Sequence, residues 1–182
     1  MIKNYRMKNA LLILLTTCFM FVGFSQDTFI LSADSKLTID GTSTVHDWTV
    51  TANTMEGVVM AEGNAPKQID FNVVVADIKS ERGATMNKKM HAALGKDTSP
   101  KVIFDLKEVK NLATLLGTLT IAGNSQEVEI KCQIDVSGDS ISIVGEHGIA
   151  LKNYSIEPPT AMFGQVIVGD DVTVKFNLIF KK

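Results

Sequence analysis

The stretch Thr85-Met-Asn-Lys-Lys-Met-His-Ala-Ala-Leu-Gly-Lys-Asp-Thr-Ser-Pro-Lys-Val-Ile-Phe-Asp-Leu106 has a periodicity that differs from the rest of the chain. Met86, Met90 and Leu94 recur at four-residue steps, so in a helix they would share one face while lysines occupy the other. A helix of about ten residues is marginal alone and depends on what its apolar face covers. The stretch therefore predicts a short amphipathic helix that packs on another element.

The second half of this stretch predicts the end of the helix and the start of a strand. Gly95 suits the left-handed conformation that ends many helices, and Pro100 prevents the helix from resuming. Val102, Phe104 and Leu106 then alternate with other residues, as in a strand with one buried face. The sequence thus predicts a single helix inserted in a β protein.

The methionines of the helix have two interpretations. Methionine is flexible and polarizable, so a pair of them suits a surface that repacks around variable apolar partners such as lipid chains. The simpler interpretation is that Met86, Met90 and Leu94 plug a β core. Composition alone favours this simpler interpretation, in which the three side chains are part of the core.

The rest of the chain alternates short apolar runs with turn-forming residues. We expect strands at 45–51, 55–60, 69–75, 102–109, 115–121, 127–136, 140–145, 148–154 and 172–180. Eight or more short strands with one helix favour an all-β fold, either a sandwich or a closed antiparallel barrel. Closure removes exposed edges, and an eight-stranded barrel is about the smallest that can enclose one small ligand.

Turns are expected where glycine and polar residues cluster. The segments Leu-Thr-Ile-Asp-Gly-Thr-Ser at 37–43 and Leu-Thr-Ile-Ala-Gly-Asn-Ser at 119–125 resemble each other. Each predicts a strand that runs into a glycine-centred turn. Residues 61–66 are expected to form a loop, and residues 77–84 a polar connection to the helix.

Residues 1–25 have the organisation of a cleaved secretory signal. Basic residues precede the apolar run 10–22, and Gly23-Phe-Ser25 offers small residues at the expected cleavage site. Cys18 follows a threonine where a lipoprotein signal would have a smaller residue, so lipidation of Cys18 is not favoured. We expect a mature domain of residues 26–182, exported to the periplasm or the extracellular space.

The charge of the chain disfavours a nucleic-acid partner. The formal net charge is −2, and removal of the basic signal segment would make it more negative. No stripe of lysine and arginine is available to neutralise phosphates along a nucleic acid.

Cys132 would be the only cysteine of the mature chain, so no internal disulfide is expected. It lies on the apolar side of an alternating run between Val128 and Val136. This position favours a buried small hydrophobic residue over a nucleophile.

The three histidines, His46, His91 and His147, are far apart in the sequence and show no metal-ligand spacing. We therefore predict no metal site and expect His91 at a solvated position on the lysine side of the helix. The sequence has no Gly-x-Ser-x-Gly elbow, phosphate loop or dinucleotide fingerprint, so no motif argues for an enzyme.

Val45-His-Asp-Trp48 is the most unusual local run of the sequence. In a strand His46 and Asp47 would point to opposite faces, which disfavours a catalytic pair. Trp48, the only tryptophan, suits either a core plug or the wall of an amphiphile site.

Five partial motifs follow each other along the chain. They are Thr44-Val-His-Asp-Trp48, the Met86 to Phe104 stretch, Gly117-Thr-Leu-Thr-Ile-Ala-Gly-Asn-Ser-Gln-Glu-Val128, Leu151-Lys-Asn-Tyr-Ser-Ile-Glu-Pro-Pro159 and Val168-Gly-Asp-Asp-Val172. In order and spacing they resemble the YceI-like family of exported bacterial lipid-binding proteins, over essentially all of residues 26–182. The chain departs from the commoner family pattern at Asn87-Lys-Lys89 and at Lys152-Asn-Tyr-Ser155, which leaves the ligand head group open.

The resemblance implies an extended lipocalin-like, eight-stranded antiparallel barrel with one short inserted helix. It also implies an elongated cavity that holds a polyisoprenoid or a similar amphiphile, such as an isoprenoid quinone, without covalent chemistry or another cofactor. The candidate ligand-binding residues are Trp48, Ile69, Phe71, Val73, Met86, Met90, Leu94, Phe104, Phe176 and Leu178. On this view the helix is a lid that closes over the lipid tail.

Several alternatives remain open from the sequence. An enzyme on the same scaffold could use His46 or His147 as a base on a bound isoprenoid, although only fold analogy favours it. A small outer-membrane barrel is the other alternative, but the expected strands fall short of the length that a membrane requires. The partner is expected to be an amphiphilic lipid, with peripheral membrane contact during loading, and a homodimer stays open.

Overall fold

The computed structural model of this protein describes residues 26–63 and 65–182. The expected signal segment 1–25, with Cys18, lies outside the described residues. The strands are β1 (Asp27–Leu31), β2 (Lys36–Ser43), β3 (Trp48–Ala52), β4 (Met55–Glu62), β5 (Ala65–Val74), β6 (Ile78–Ser80), β7 (Lys101–Lys110), β8 (Thr114–Ile121), β9 (Asn124–Ser137), β10 (Ser140–Ala150), β11 (Thr160–Ala161) and β12 (Val166–Lys181). The helices are α1 (Ala84–Ala93) and the 3-10 turns Val75–Asp77, Leu151–Tyr154 and Met162–Gly164.

Eight of these strands close into an antiparallel barrel. The order around the barrel is β1-β4-β5-β7-β8-β9-β10-β12, and β1 closes it by pairing with β4 on one side and with β12 on the other. Four of the eight neighbouring pairs, β4-β5, β7-β8, β8-β9 and β9-β10, are consecutive in the chain and are joined by tight turns. The predicted fold, an all-β, extended lipocalin-like barrel of eight antiparallel strands with one short helix, is confirmed.

Three further strands lengthen one side of the barrel. β2 follows β1 along the edge of β12, while β3 and β6 continue the paths of β4 and β5. Hydrogen bonds bridge the breaks: the Val74 N–H donates to Thr54 O at 3.0 Å, and the Ile179 N–H donates to the Ser35 hydroxyl at 2.9 Å. Interrupted strands therefore behave as long ones, and the barrel is elongated on this side.

One end of the barrel is filled by side chains, and we call this group the apolar plug. It consists of Phe29, Val59, Ile141 and Phe180, all of them fully buried. Phe29 is paired with Val59, and Ile141 with Phe180, in the strand register. Since alternate residues of a strand face the interior, the register brings the four side chains together.

The helix α1 covers the other end, beside β6. None of its residues is buried. Two hydrogen bonds hold it to β6: Asn87 Oδ1 accepts the Ser80 N–H at 2.8 Å, and His91 Nε2 lies 2.8 Å from Ile78 O. The solvated position expected for His91 is therefore wrong. Gly95 has a φ of 66° and ends the helix in the left-handed conformation, as predicted.

Some expected boundaries differ from the structure. Residues 61–66 are not a loop, because β4 and β5 continue to a tight turn next to Gly63. The strand expected at 148–154 is the end of β10 followed by the 3-10 turn Leu151–Tyr154. The connection 77–84 contains the short strand β6, which pairs with β3. Pairing with distant segments determines where these strands begin and end, and the local sequence does not indicate that pairing.

The glycine turn expected at 37–43 is also absent, since Gly41 lies inside β2. A Cβ atom at Gly41 would come within 2.2 Å of the Trp48 ring. Glycine is needed here because the indole packs directly on the backbone of the neighbouring strand. The matching turn at Gly123 does form, with a φ of 79°.

Candidate functional site

A cavity of about 550 Å³ occupies the barrel between the apolar plug and α1. Its surface is almost entirely apolar, because the inward residues of the surrounding strands are mostly valine, isoleucine, leucine and phenylalanine. The volume lies in the range of pockets that enclose small organic ligands. The site is therefore suited to an apolar molecule or an apolar tail.

All ten residues that the sequence placed at a binding site line this cavity. They are Trp48, Ile69, Phe71, Val73, Met86, Met90, Leu94, Phe104, Phe176 and Leu178. Several of them, such as Ile69 and Leu178, are also buried members of the core. Contact of these ten side chains with a ligand stays a prediction.

Trp48 forms part of the cavity wall. Its ring lies over Gly41, and its indole N–H donates to Thr42 O at 2.9 Å. The hydrogen bond satisfies the one polar atom of the ring, so its apolar surface is left to face the cavity. Of the two roles that the sequence left open for Trp48, the structure places it at the wall.

The inner face of α1 closes the cavity without filling it. Met86, Met90 and Ala93 line the cavity, and so does Lys89. Lys89 is three residues after Met86, so helical spacing puts both on neighbouring positions of one face. The sequence does not predict Lys89 at the cavity, because the lysines of the helix are expected on the solvent side. The spacing of Lys89 to Met86 is nevertheless a usable signal.

Most of the polar lining residues belong to the segments around α1, and we call this region the mouth. It comprises Ser43, His46, Ser80, Arg82, Lys89 and Thr160. These residues come from the end of β2, the β2–β3 turn, β6, the β6–α1 connection, α1 and β11. Only His46 among them was singled out from the sequence, because the others come together from distant segments.

Hydrogen bonds tie the mouth together. Arg82 Nη1 lies 2.7 Å from His46 Nε2, and Arg82 Nη2 donates to Asp47 O at 3.4 Å. Lys89 Nζ donates to the carbonyl oxygen of Thr160. His46 lies in the turn before β3 and not in a strand, so the alternation expected for 45–51 applies only from Trp48 onward.

His147 is a polar residue of the cavity wall outside the mouth. It is an inward position of β10, opposite Val174, and it also borders a smaller polar cavity of about 130 Å³ near Gln126 and Tyr154. Burial lowers the pKa of His147, because the apolar surroundings disfavour the charged imidazolium. The imidazole is therefore a neutral group beside the apolar cavity.

Cys132, on β9, packs against the hydrophobic core of the barrel. Burial raises the pKa of its thiol to about 11, so the thiol stays protonated and unreactive at neutral pH. Within residues 26–63 and 65–182, no group of three or more His, Cys, Asp or Glu side chains is arranged to hold a metal ion.

The fold and the cavity define a class of protein: a lipocalin-like barrel with an apolar interior beneath one short helix. The chain belongs to the YceI-like domain family, whose sequence model matches residues 22–180. Comparison with curated protein sequences gave no match.

Solved structures with the same fold support this assignment. BcnA of Burkholderia cenocepacia is similar at 18% identity and a TM-score of 0.67, over 81% of this chain and 96% of that one. A polyisoprenoid-binding domain of Saccharophagus degradans, implicated in plant cell wall breakdown, is similar at 13% identity and a TM-score of 0.70, over 86% and 99%. The YceI protein of Campylobacter jejuni is similar at 15% identity and a TM-score of 0.59, over 91% and 95%.

In the part of the chain that the structure describes, no helix has the length and apolar character needed to cross a membrane.

Proposed function

We propose that this protein binds a polyisoprenoid or a similar amphiphilic lipid in the barrel cavity, without covalent chemistry. The observation that carries the proposal is the apolar cavity of about 550 Å³, which the helix covers and leaves unfilled. Each methylene group that moves from water into such a cavity contributes about 0.8 kcal/mol. A long apolar chain can therefore be held with few polar contacts.

The relatives support the same proposal. The Saccharophagus degradans domain with this fold is a polyisoprenoid-binding domain. The chemistry of the cavity wall fits that ligand class, because branched aliphatic and aromatic side chains pack well against the methyl branches of an isoprenoid. An isoprenoid quinone has a tail of the same kind.

We further propose that the protein acts after export, carrying or storing the lipid in the periplasm or the extracellular space. The signal expected at 1–25 motivates this location. Val45, Phe163 and Ile167 are exposed apolar residues next to mouth segments, and Phe163 is fully exposed at a tight turn with a φ of 57°. Such residues suit brief contact with a membrane surface while a lipid is loaded.

A binding role without catalysis fits the histidines better than an enzymatic role. His46 contacts Arg82, and His147 stands among apolar residues; among the described residues, neither hydrogen-bonds to a carboxylate that would orient it as a base. The ion pairs on the outer strand faces, such as Lys101 with Glu56, also fit water better than the apolar surface of an outer-membrane barrel.

The first test is native mass spectrometry of the mature protein purified from its own host, followed by lipid extraction. We expect one isoprenoid per chain. An empty protein that also fails to take up added isoprenoid would refute the proposal. Turnover of that isoprenoid, lost in His46→Ala or His147→Ala, would favour the enzyme instead.

A matched pair of variants locates the lipid. Val174 faces the cavity, whereas Asn177 on the same strand is exposed. Val174→Phe should lower the amount of lipid retained, because the ring occupies cavity volume, and Asn177→Phe should leave it unchanged. Equal retention in both variants would place the lipid elsewhere.

A further inference from the structure

The mouth of the cavity carries positive charge and no negative charge. Two basic side chains, Arg82 and Lys89, line the cavity, and no aspartate or glutamate of the described residues does. Lys89 belongs to the helix that covers the apolar interior, and Arg82 lies two residues before the start of that helix. A ligand with its tail in the cavity would place its head group within reach of these cations.

The present partners of the two cations carry no negative charge. Arg82 contacts the His46 imidazole and the carbonyl oxygen of Asp47, and Lys89 contacts the carbonyl oxygen of Thr160. The carboxylates close to the two cations in the sequence, on Asp77, Glu81 and Asp97, do not line the cavity, and neither does that of Asp47. Most other lysines of the described chain form ion pairs, such as Lys175 with Asp40 and Lys101 with Glu56, but Arg82 and Lys89 form none there.

An anion would be a better partner for both cations than these acceptors, which carry no negative charge. An anion adds a Coulombic attraction between opposite charges to the hydrogen bond, and a carbonyl oxygen or an imidazole lacks that attraction. The guanidinium also offers two parallel donors, which match the oxygens of a phosphate or a carboxylate. An anionic head group would therefore compete with the mouth's own acceptors.

We propose that Arg82 and Lys89 form the head-group site of the cavity and select amphiphiles with an anionic head, such as an isoprenyl phosphate, over neutral ones. This inference rests on the proposed function, because it assumes that the tail lies in the cavity. When the anion binds, Arg82 leaves His46 and Lys89 leaves Thr160. The contacts that tie the mouth together are then replaced by contacts to the ligand.

The test compares two probes with the same tail, farnesyl phosphate and farnesol, on the delipidated protein purified from its host. We expect the phosphate to bind more tightly to the wild type. Arg82→Gln with Lys89→Gln should weaken its binding by about 10- to 100-fold, as expected for the loss of hydrogen bonds to charged groups. Farnesol binding should change by less than about twofold, which also shows that the variant is folded.

The control is Lys36→Gln with Lys131→Gln, which removes the same charge from exposed lysines outside the cavity. It should leave both affinities unchanged. Equal weakening of farnesyl phosphate binding in the two double variants would assign the effect to overall charge and overturn the inference. Equal binding of the two probes by the wild type would also overturn it.

A third probe, inorganic phosphate, separates a lipid head-group site from a site for a free anion. We expect phosphate alone to bind far more weakly than farnesyl phosphate, because it lacks the tail. Equal affinity of the two would overturn the lipid assignment. If neither farnesol nor farnesyl phosphate binds the wild type, the proposed lipid function itself fails.

Discussion

The two ends of the barrel use similar apolar residues but pack them differently. In the apolar plug, Phe29, Val59, Ile141 and Phe180 are at most 1% exposed and do not line the cavity. At the other end α1 has no buried residue, although it covers the cavity. The apolar side chains of the plug are buried, whereas the α1 end leaves apolar surface of the cavity uncovered.

This difference separates stability from binding within one barrel. Buried apolar area contributes to stability whether or not a ligand is present, so the plug should hold the folded state. Uncovered apolar area beneath α1 contributes only when a ligand fills the cavity. Regions with few buried contacts also open more easily than the core, which suits the entry of a lipid.

Phe180→Ala truncates the phenylalanine that β12 contributes to the apolar plug. It should lower the free energy of unfolding by about 3–5 kcal/mol, because truncation of a buried phenylalanine leaves a cavity. Denaturant titration followed by circular dichroism measures the change. Binding of lipid per folded molecule should stay the same, and a loss below about 1 kcal/mol would contradict the proposed role of the plug.

Gly41→Ala tests the wall between the two ends. The added Cβ would lie within 2.2 Å of the Trp48 ring, so the indole must move and its N–H loses Thr42 O. We expect a loss of about 1–3 kcal/mol, as for other overpacked positions. Tryptophan emission should shift to longer wavelength. Unchanged emission and stability would show that the wall adapts without cost.

Met86→Lys with Met90→Lys tests the helix as a lid. Since neither methionine is buried, stability should change by less than about 1 kcal/mol. Retained lipid should be lost, because two charges would face the cavity. The control, Thr85→Lys with Ala92→Lys, adds the same charges at exposed positions of α1 and should retain lipid. Unchanged lipid content in the methionine variant would refute the lid.

For His147 we expect the smallest effect on the free energy of unfolding, and this effect is confined to acidic pH. Burial lowers its pKa from the ordinary value of 6.5, so the unfolded chain binds the proton more tightly than the folded protein. Stability should therefore fall as the pH drops below about 6.5, toward the lowered pKa. Above that range the residue contributes no pH dependence. His147→Gln should remove this loss of stability at acidic pH. The measurement is the difference between the stability–pH profiles of the wild type and the variant.

Much of the barrel could be predicted because alternation is a local property. Inward positions such as Phe104, Phe176 and Leu178 follow from a period of two within one strand. The helix and its end at Gly95 follow from a period near four and from glycine's conformational freedom. Seven of the ten candidate site residues line the cavity for the same reason, since inward residues of a hollow barrel are its wall. Met86, Met90 and Leu94 line it because the apolar face of the helix covers the cavity.

The mouth could not be predicted, because its residues share no local pattern. Arg82 meets His46 across 36 positions of sequence, and Lys89 meets Thr160 across 71. The place of Gly41 beneath Trp48 likewise depends on the register of β2 with β3. Such contacts depend on how the strands pair, and strand pairing cannot be read from the residues next to a side chain in the sequence.

The class of fold, the inserted helix and the apolar character of the interior can be predicted from periodicity and composition. The hollow interior beneath α1, the plug at the opposite end and the two cations at the mouth depend on tertiary packing. A closed barrel joins segments far apart in the chain, and the space left between them depends on how all their side chains pack together.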